Sequence, residues 1–301
     1  MDFIKNHSSV RMRDPSEVRR KLDKFICDQP EHLLVIADFD HTLSRTKNHL
    51  GEECCISYGV FEMEAMRISP EYGEYFTKLA EKYLPIELST TMTREEKAPY
   101  MVEWWQKSND HILKAKFTEN DIESLVAKSS IDLRDNVDLM IDELDRHNIP
   151  LMIFSAGVGN IIDICLQRKM GVVPRNVHIV SNMMLFDERG VSCGFSEPLI
   201  HTFCKDGSAI EKCHSLCKET TGRYNVLLLG DSLGDLHMAD GYRPNGDNVT
   251  ILKIGFLNRA FDTHYEKFLE GFDIVLVDDQ TVDLPIHLIE KVTCHNAFIK
   301  N

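Results

Sequence analysis

Two aspartates two positions apart, Asp38 and Asp40, follow on the apolar run Leu33-Leu34-Val35-Ile36-Ala37. In extended backbone, residues two apart leave the chain on the same face, so these carboxylates start out crowded. Either one carries a proton or both meet a cation. A second acidic pair, Asp231 and Asp235 in Gly230-Asp231-Ser232-Leu233-Gly234-Asp235, ends another apolar run and can converge on the same point. Such an oxygen-rich set suits Mg²⁺, which takes one or two carboxylates and completes its shell with water and substrate phosphate. Ser155 closes a third run ahead of a glycine-containing turn into a helix. It offers a hydroxyl and backbone N–H groups to a phosphate. Lys205, in a polar stretch, can supply the compensating positive charge.

The elements that must hold these residues alternate. Asp14-Pro15 reads as the cap and first-turn proline of a helix whose Val18, Leu22, Phe25 and Ile26 share one face. After the Leu33 run come Ile149–Phe154, Val177–Val180 and Val226–Leu229, with Ile251–Ile254 and Ile274–Val277 beyond. Helical patterns separate them: the stripe Leu133, Val137, Met140, Ile141 and Leu144, then a helix from Gly157 through Lys169 that stops near Gly171. Solid apolar strands alternating with helices predict an α/β fold, a doubly wound parallel sheet covered on both faces. Such sheets bind ligands beyond the carboxyl ends of their strands, near a topological switch point, and the acidic and serine clusters all fall at those ends.

One long stretch breaks the alternation. From Ser44 to about Ser130 the sequence is helix-like, with Thr118-Glu119-Asn120-Asp121 resembling a capping box. Thr93 through Lys116 carries one or two helices, with Pro99 marking a break or kink. An insertion of this size predicts a helical cap, residues 45–130, on a core of residues 1–44 and 131–301. Met183 through Glu197, turning at Glu188-Arg189-Gly190, reads as a small β-hairpin excursion.

Any one acidic or serine cluster at a strand end is ordinarily a turn or a helix cap. Three at one edge, in this order, are not explained that way. Asp38-Phe39-Asp40-His41-Thr42, Ser155, Lys205 and Gly230-Asp231-Ser232-Leu233-Gly234-Asp235 resemble the four ordered motifs of the haloacid-dehalogenase superfamily of phosphotransferases, over nearly the whole chain. The second aspartate of the first motif is similar to that of the phosphatase branch. Within that branch, Phe39-Asp40-His41-Thr42-Leu43-Ser44-Arg45, Tyr100-Met101-Val102-Glu103-Trp104-Trp105, Phe154-Ser155-Ala156-Gly157 and Leu229-Gly230-Asp231-Ser232 resemble the cytosolic 5′-nucleotidase III family. His41 departs from the apolar residue usual there, at a position that is not itself catalytic. The Trp104-Trp105 pair resembles the member specific for 7-methylguanosine phosphate.

The resemblance implies that Asp38 is a nucleophile forming an aspartyl phosphate. Asp40 then protonates the leaving ribose 5′-oxygen and afterwards takes a proton from the hydrolytic water. It implies Mg²⁺ held by an Asp38 oxygen, the Asp40 backbone carbonyl and Asp231, with Asp235 in the outer shell, and phosphate bound by Ser155, Ala156 and Lys205. The physics agrees: a carboxylate cannot approach a phosphate dianion unless positive charge and oriented donors neutralise what accumulates. In the cap, the resemblance aligns Glu87 with a base-reading glutamate. Trp105 and Ser108, three apart, share a helix face and can present a stacking plane beside a hydroxyl. A 7-methylated guanine is cationic, so stacking it on Trp105 adds a cation–π contact of roughly 0.5–2 kcal/mol, with Glu87 complementing the charge. Of two adjacent aromatics on such a helix one normally faces inward, so at most one touches ligand; Trp105 is the expected ligand contact and Trp104 the core residue, with packing of both the alternative.

Composition bounds the reading. The 301 residues include 34 Lys+Arg against 48 Asp+Glu, a formal net charge of −14. That argues against a binder of polymeric nucleic acid, which needs a basic face. With 43% hydrophobic and 27% charged residues the chain is globular rather than disordered. Nine cysteines and no apolar leader behind Met1 predict a reduced, cytoplasmic protein with no membrane span. The cysteines of Cys213-His214-Ser215-Leu216-Cys217, with Cys204 nearby, and the Cys54-Cys55 pair lack a matching second ligand pair and read as structural. A small nucleoside monophosphate is the expected partner, and a monomer the expected state. A phosphotransferase using the same site, or a nucleotide-binding module without turnover, are the competing functions. The second is disfavoured by the presence of Asp38, Asp40, Ser155, Lys205 and Asp231 together.

Overall fold

Asp14 accepts hydrogen bonds from the backbone N–H groups of Ser16 and Glu17, and Pro15 opens helix α1 (Pro15–Asp28). These are the cap and first-turn proline that the sequence predicts, and they leave Val18, Leu22 and Phe25 facing inward. The computed structural model describes residues 7–89, 91–207, 218–246, 248–259 and 261–294. Cys213-His214-Ser215-Leu216-Cys217 lies outside them.

Strands β1 (Val10–Arg11), β2 (Leu33–Ala37), β3 (Leu151–Val158), β4 (Val177–Asn182), β7 (Asn225–Gly230), β8 (Thr250–Leu257) and β9 (Ile274–Val277) form a seven-stranded sheet ordered β1-β9-β8-β7-β2-β3-β4. Every pairing is parallel except that of β1 with β9. Strands β5 (Met184–Phe186) and β6 (Ser192–Phe195) make the separate antiparallel hairpin predicted between Met183 and Glu197.

The apolar runs are continuous because the sheet is covered twice. Along β2, Leu33, Val35 and Ala37 enter one hydrophobic cluster and Leu34 and Ile36 the other; in β7, Leu227 and Leu229 divide from Val226 and Leu228 in the same way. Helices α1, α6 (Val137–Arg146), α7 (Gly159–Met170) and α9 (Asp283–Thr293) contribute to the first cluster. Helix α8 (Phe261–Gly271) contributes Phe268 to the second. Each fully buried aliphatic side chain adds about 1.5–3 kcal/mol of burial free energy. The chain runs from β2 outward through β3 and β4, then returns to pair β7 on the other side of β2. The sheet reverses its winding at β2/β7, the place where a doubly wound sheet opens a crevice.

The stretch between β2 and β3 is helical: α2 (Gly59–Ile68), α3 (Pro70–Glu87), α4 (Arg94–Leu113) and α5 (Glu119–Lys128). Thr93 and Thr118 both close capping boxes, with Glu96 and Asp121. Pro99 does not split α4, which is one helix through Leu113; the proline lies near its start, and buried Met101, Ser108 and Ile112 hold the rest. The outgoing and returning connections meet side by side. Ser44 bridges Leu133, the Arg45 N–H donates to the Asp132 carbonyl at 2.9 Å, and the Arg134 N–H to the Leu43 carbonyl at 2.9 Å. Buried apolar residues of α2, α3, α4 and α5 continue into the first core cluster, while Leu79, Tyr83 and Met101 form a smaller cluster of their own, edged by Trp104 and Trp105.

Candidate active site

Asp38 follows β2, and Lys205 and Asp235 come to meet it. The Lys205 ammonium donates to Asp38 Oδ1 at 2.5 Å and to Asp235 Oδ1 at 2.9 Å, with all three side chains no more than 6% exposed. Asp231, at the end of β7, completes a group in which one carboxylate oxygen each from Asp38, Asp231 and Asp235 lie within 4.8 Å of one another. Gly230 permits the approach, since a Cβ there would stand 2.4 Å from that of Asp235. Asp235 also accepts from the N–H of Asp231 and from the N–H and hydroxyl of Ser232, which folds the Gly230–Asp235 turn around its own carboxylate.

Crowded buried carboxylates resist ionisation. Burial pushes Asp38 up to about 7 against the pull of Lys205. Burial, then Asp38 and Asp235, hold Asp231 well above the usual carboxylate range. Burial alone would lower Lys205, yet Asp235 and Asp38 together raise it, so its ammonium is secure. Three carboxylates against one ammonium leave an excess of negative charge on an all-oxygen donor set. That set fits a hard divalent cation such as Mg²⁺.

Asp40 does not turn to this cluster. Its Oδ1 accepts from the Ser57 N–H at 2.7 Å and its Oδ2 from the Ser57 hydroxyl at 2.6 Å. Its carboxyl is drawn to Ser57 as the chain turns after β2, where the N–H groups of Thr42, Leu43 and Ser44 all reach the Phe39 carbonyl. Burial raises Asp40, opposed by the two Ser57 hydrogen bonds.

Ser155 is buried, and its hydroxyl accepts the Gly157 N–H at 3.0 Å. The predicted turn into a helix at Gly157 is instead a bulged continuation of β3, which pairs β4 at Phe154 and again at Val158, with α7 starting at Gly159. The bulge survives because its carbonyls find distant partners. Asn182 Nδ2 donates to the Ala156 and Gly157 carbonyls at 2.9 and 3.2 Å, the Ser181 hydroxyl to Gly157 at 2.9 Å, and the Trp105 indole N–H to Ala156 at 2.7 Å.

Further out, Glu87 is half-buried at the end of α3, its Oε1 accepting from the Thr202 hydroxyl at 2.6 Å and its backbone carbonyl from Lys97 at 2.8 Å. Burial raises its carboxyl, with Thr202 pulling the other way. Trp105 is half-buried with Tyr58 edge-on to it at 6.3 Å, while Trp104 stacks on Tyr83 at 5.7 Å and Ser108 is buried on α4.

Of the predicted residues, then, Asp38, Lys205, Asp231 and Asp235 share one cluster. Asp40 stands beside it on Ser57, and Ser155 with Ala156 lines the bulge that Trp105 reaches. Glu87 is tied to Thr202, and Ser108 is buried on α4. Sequence reasoning missed Ser57, Asn182, Thr202 and Arg134. Asn182 carried a usable signal, being polar at the carboxyl end of an apolar run; Ser57 and Thr202 lie in connections with no periodic pattern, and Arg134 falls at the head of the stripe read from Leu133, just before α6 begins. Arg134 is wholly buried and donates to the carbonyls of His41 at 2.5 Å and Thr42 at 2.7 Å, to the Asp279 carbonyl, and to Asn258 Oδ1 at 2.8 Å. It thereby fixes the far side of the loop that carries Asp38 and Asp40.

Known proteins resemble this chain over most of its length. The model of the pyrimidine 5′-nucleotidase (UMPH-1) family matches residues 41–293. A Caenorhabditis elegans protein assigned as a cytosolic 5′-nucleotidase 3 is 45% identical over 297 residues, covering 97% of this chain and 77% of that protein. The human 7-methylguanosine phosphate-specific 5′-nucleotidase is 40% identical over 290 residues, covering 96% and 94%. The crystal structure of cytosolic 5′-nucleotidase IIIB bound to cytidine is similar with a TM-score of 0.83 at 33% identity, covering 97% of this chain and 95% of that one.

Proposed function

Because the chain belongs to the pyrimidine 5′-nucleotidase (UMPH-1) family, whose relatives are phosphoric monoester hydrolases, we propose that it hydrolyses nucleoside 5′-monophosphates in the cytoplasm, 7-methylguanosine monophosphate and pyrimidine monophosphates such as CMP among them. The observation that carries the reading is the cluster of buried Asp38, Lys205 and Asp235 with half-buried Asp231 at the winding reversal, with Asp40 and the Ser155 bulge at its side.

In this reading an Asp38 oxygen attacks phosphorus as the bond from phosphorus to the ribose 5′-oxygen breaks. The bonding pair leaves on that oxygen, which takes the proton of the Asp40 carboxyl. Burial favours the protonated form that this step requires of Asp40. Water then attacks the aspartyl phosphate and gives a proton to Asp40. The Asp38–phosphorus bond breaks, releasing phosphate and restoring both carboxyls. Lys205 pulls Asp38 toward its ionised form against the effect of burial and adds positive charge where phosphate oxygens crowd. The Ser155 hydroxyl, whose oxygen already accepts from Gly157, has its proton free to donate to phosphate. Asp38, Asp231 and the Asp40 backbone carbonyl would hold Mg²⁺, with Asp235 behind them; when bound, it neutralises charge on the transferring phosphoryl group.

Residues 45–130 serve in this reading as the cap that closes on the nucleoside. The bond from the Trp105 indole to Ala156 sets the ring's orientation, and Thr202 holds the Glu87 carboxylate. The test is phosphate release from a panel of nucleoside monophosphates, with Mg²⁺ and with EDTA. Metal-dependent release that prefers 7-methylguanosine over guanosine monophosphate supports both parts. Turnover of pyrimidine nucleotides alone overturns the Trp105 role and keeps the catalytic one. No release from any nucleotide overturns the reading.

A further inference from the structure

Ser57 stands at the centre of a small polar relay that the catalytic motifs do not contain. It precedes α2 in the outgoing connection and is wholly buried. The Val158 N–H donates to its hydroxyl oxygen at 3.2 Å, and that hydroxyl lies 2.6 Å from Asp40 Oδ2. With one lone pair engaged by Val158, the hydroxyl proton is directed at Asp40. The Ser57 N–H occupies Oδ1 of the same carboxyl at 2.7 Å, so one residue fixes both oxygens and hence the plane of the group. The strand that bends to present Ser155 is therefore the strand that orients the serine holding Asp40. Gly157 makes room for the arrangement: a Cβ there would lie 2.1 Å from Ser57 Oγ and 2.8 Å from Asp40 Oδ2.

We infer that Ser57 is a positioning residue for Asp40, holding its carboxyl in the orientation that protonates the leaving nucleoside and binding that orientation to the phosphate-facing bulge of β3. The inference rests on the nucleotidase reading above. A hydroxyl suits the task chemically because it can donate to Asp40 as a carboxylate or accept from it as an acid, so the contact persists as the proton moves on and off. A serine that merely anchored the connection would matter equally for every substrate.

The leaving group separates the two roles. In a nucleoside 5′-phosphorothiolate, sulfur replaces the bridging oxygen. The phosphorus–sulfur bond breaks with its electron pair on sulfur, and the thiolate departs without needing a proton, while every nucleoside contact is retained. The experiment compares kcat/KM, which reports steps only through departure of the nucleoside, for the oxygen and sulfur forms of one nucleotide. Ser57→Ala should lower kcat/KM for the oxygen substrate about 10- to 100-fold, a large part of what general acid catalysis supplies, and for the sulfur substrate less than about 3-fold. Ser57→Cys, which keeps the shape and weakens the donor, should show the same selectivity at smaller size, and it carries the test if Ser57→Ala does not fold. Equal losses on both substrates, or no loss on either, overturn the inference. Wild-type protein that hydrolyses neither substrate overturns instead the nucleotidase reading on which it rests.

Discussion

A buried ammonium costs several kcal/mol of desolvation that only close partners offset, and Lys205 has Asp38 at 2.5 Å and Asp235 at 2.9 Å. Remove it, and Asp38, Asp231 and Asp235 face one another without the charge that separates them. Lys205→Met should therefore lower kcat by about 10²–10³-fold, the scale of losing one preorganised electrostatic donor. It should also cost about 3 kcal/mol in urea unfolding, as when one partner of a buried pair is removed. Lys205→Arg should not rescue kcat, because a planar guanidinium does not fit a pocket shaped for a point charge. An Arg variant with near wild-type kcat would refute the tight three-carboxylate arrangement. At this scale the sequence was informative about residue types: the acidic pairs and Lys205 were recognisable as complementary charges. The pairing of Lys205 with Asp235, and the turning of Asp40 onto Ser57, were not, because each depends on a loop bend that brings together residues far apart in the chain.

At the scale of elements, legibility follows the range of the signal. The cap of α1, the capping box of α5 and the turn of the β5–β6 hairpin are local hydrogen-bonding patterns, and all appear where the residues place them. The end of β3 is different. Ser155-Ala156-Gly157 has the look of a strand end, and partners distant in sequence, Asn182 and Ser181 of β4, Trp105 of α4 and Ser57 before α2, keep it extended. Arg134 is the same lesson in a connection: nothing beside it in sequence announces that it staples the loop after β2 to Asn258 and Asp279. The Thr42 and Asp279 carbonyls it leaves would be buried acceptors without their donor, each costing about 1–3 kcal/mol, while Asn258 Nδ2 still serves the His41 carbonyl at 2.9 Å. Arg134→Met should thus destabilise the fold by about 3–5 kcal/mol in chemical denaturation. Arg134→Lys should recover less than half of that, having three donors on one atom where the guanidinium spreads five. A loss below 1 kcal/mol for Arg134→Met would mean that the loop holds its shape unaided.

At the scale of the molecule, the segment from His201 to Phe203 joins the inserted helices to the sheet. Thr202 binds Glu87 of α3, and Arg94 of α4 donates its Nε–H to the Phe203 carbonyl at 2.6 Å. Within the segment, the Phe203 N–H donates to His201 Nδ1 at 3.2 Å, which requires that nitrogen to be unprotonated. Burial, and then the charge of Arg94, push His201 down to about 4 from 6.5. The unfolded chain therefore binds the proton first. His201 adds nothing against folding above about pH 7; its contribution turns unfavourable as pH falls below 6.5 and reaches its full cost below about 4. Asp38 and Asp231, with raised values, act in the opposite sense, so the total slope is not informative by itself. A comparison removes them, since they are common to both proteins. Between pH 7.5 and 5.0 the thermal midpoint of the wild type should fall further than that of His201→Gln, whose amide can accept the Phe203 N–H at either pH and does not titrate. Parallel declines would show that His201 is protonated at no cost, and that the joint between helices and sheet does not depend on its neutral form.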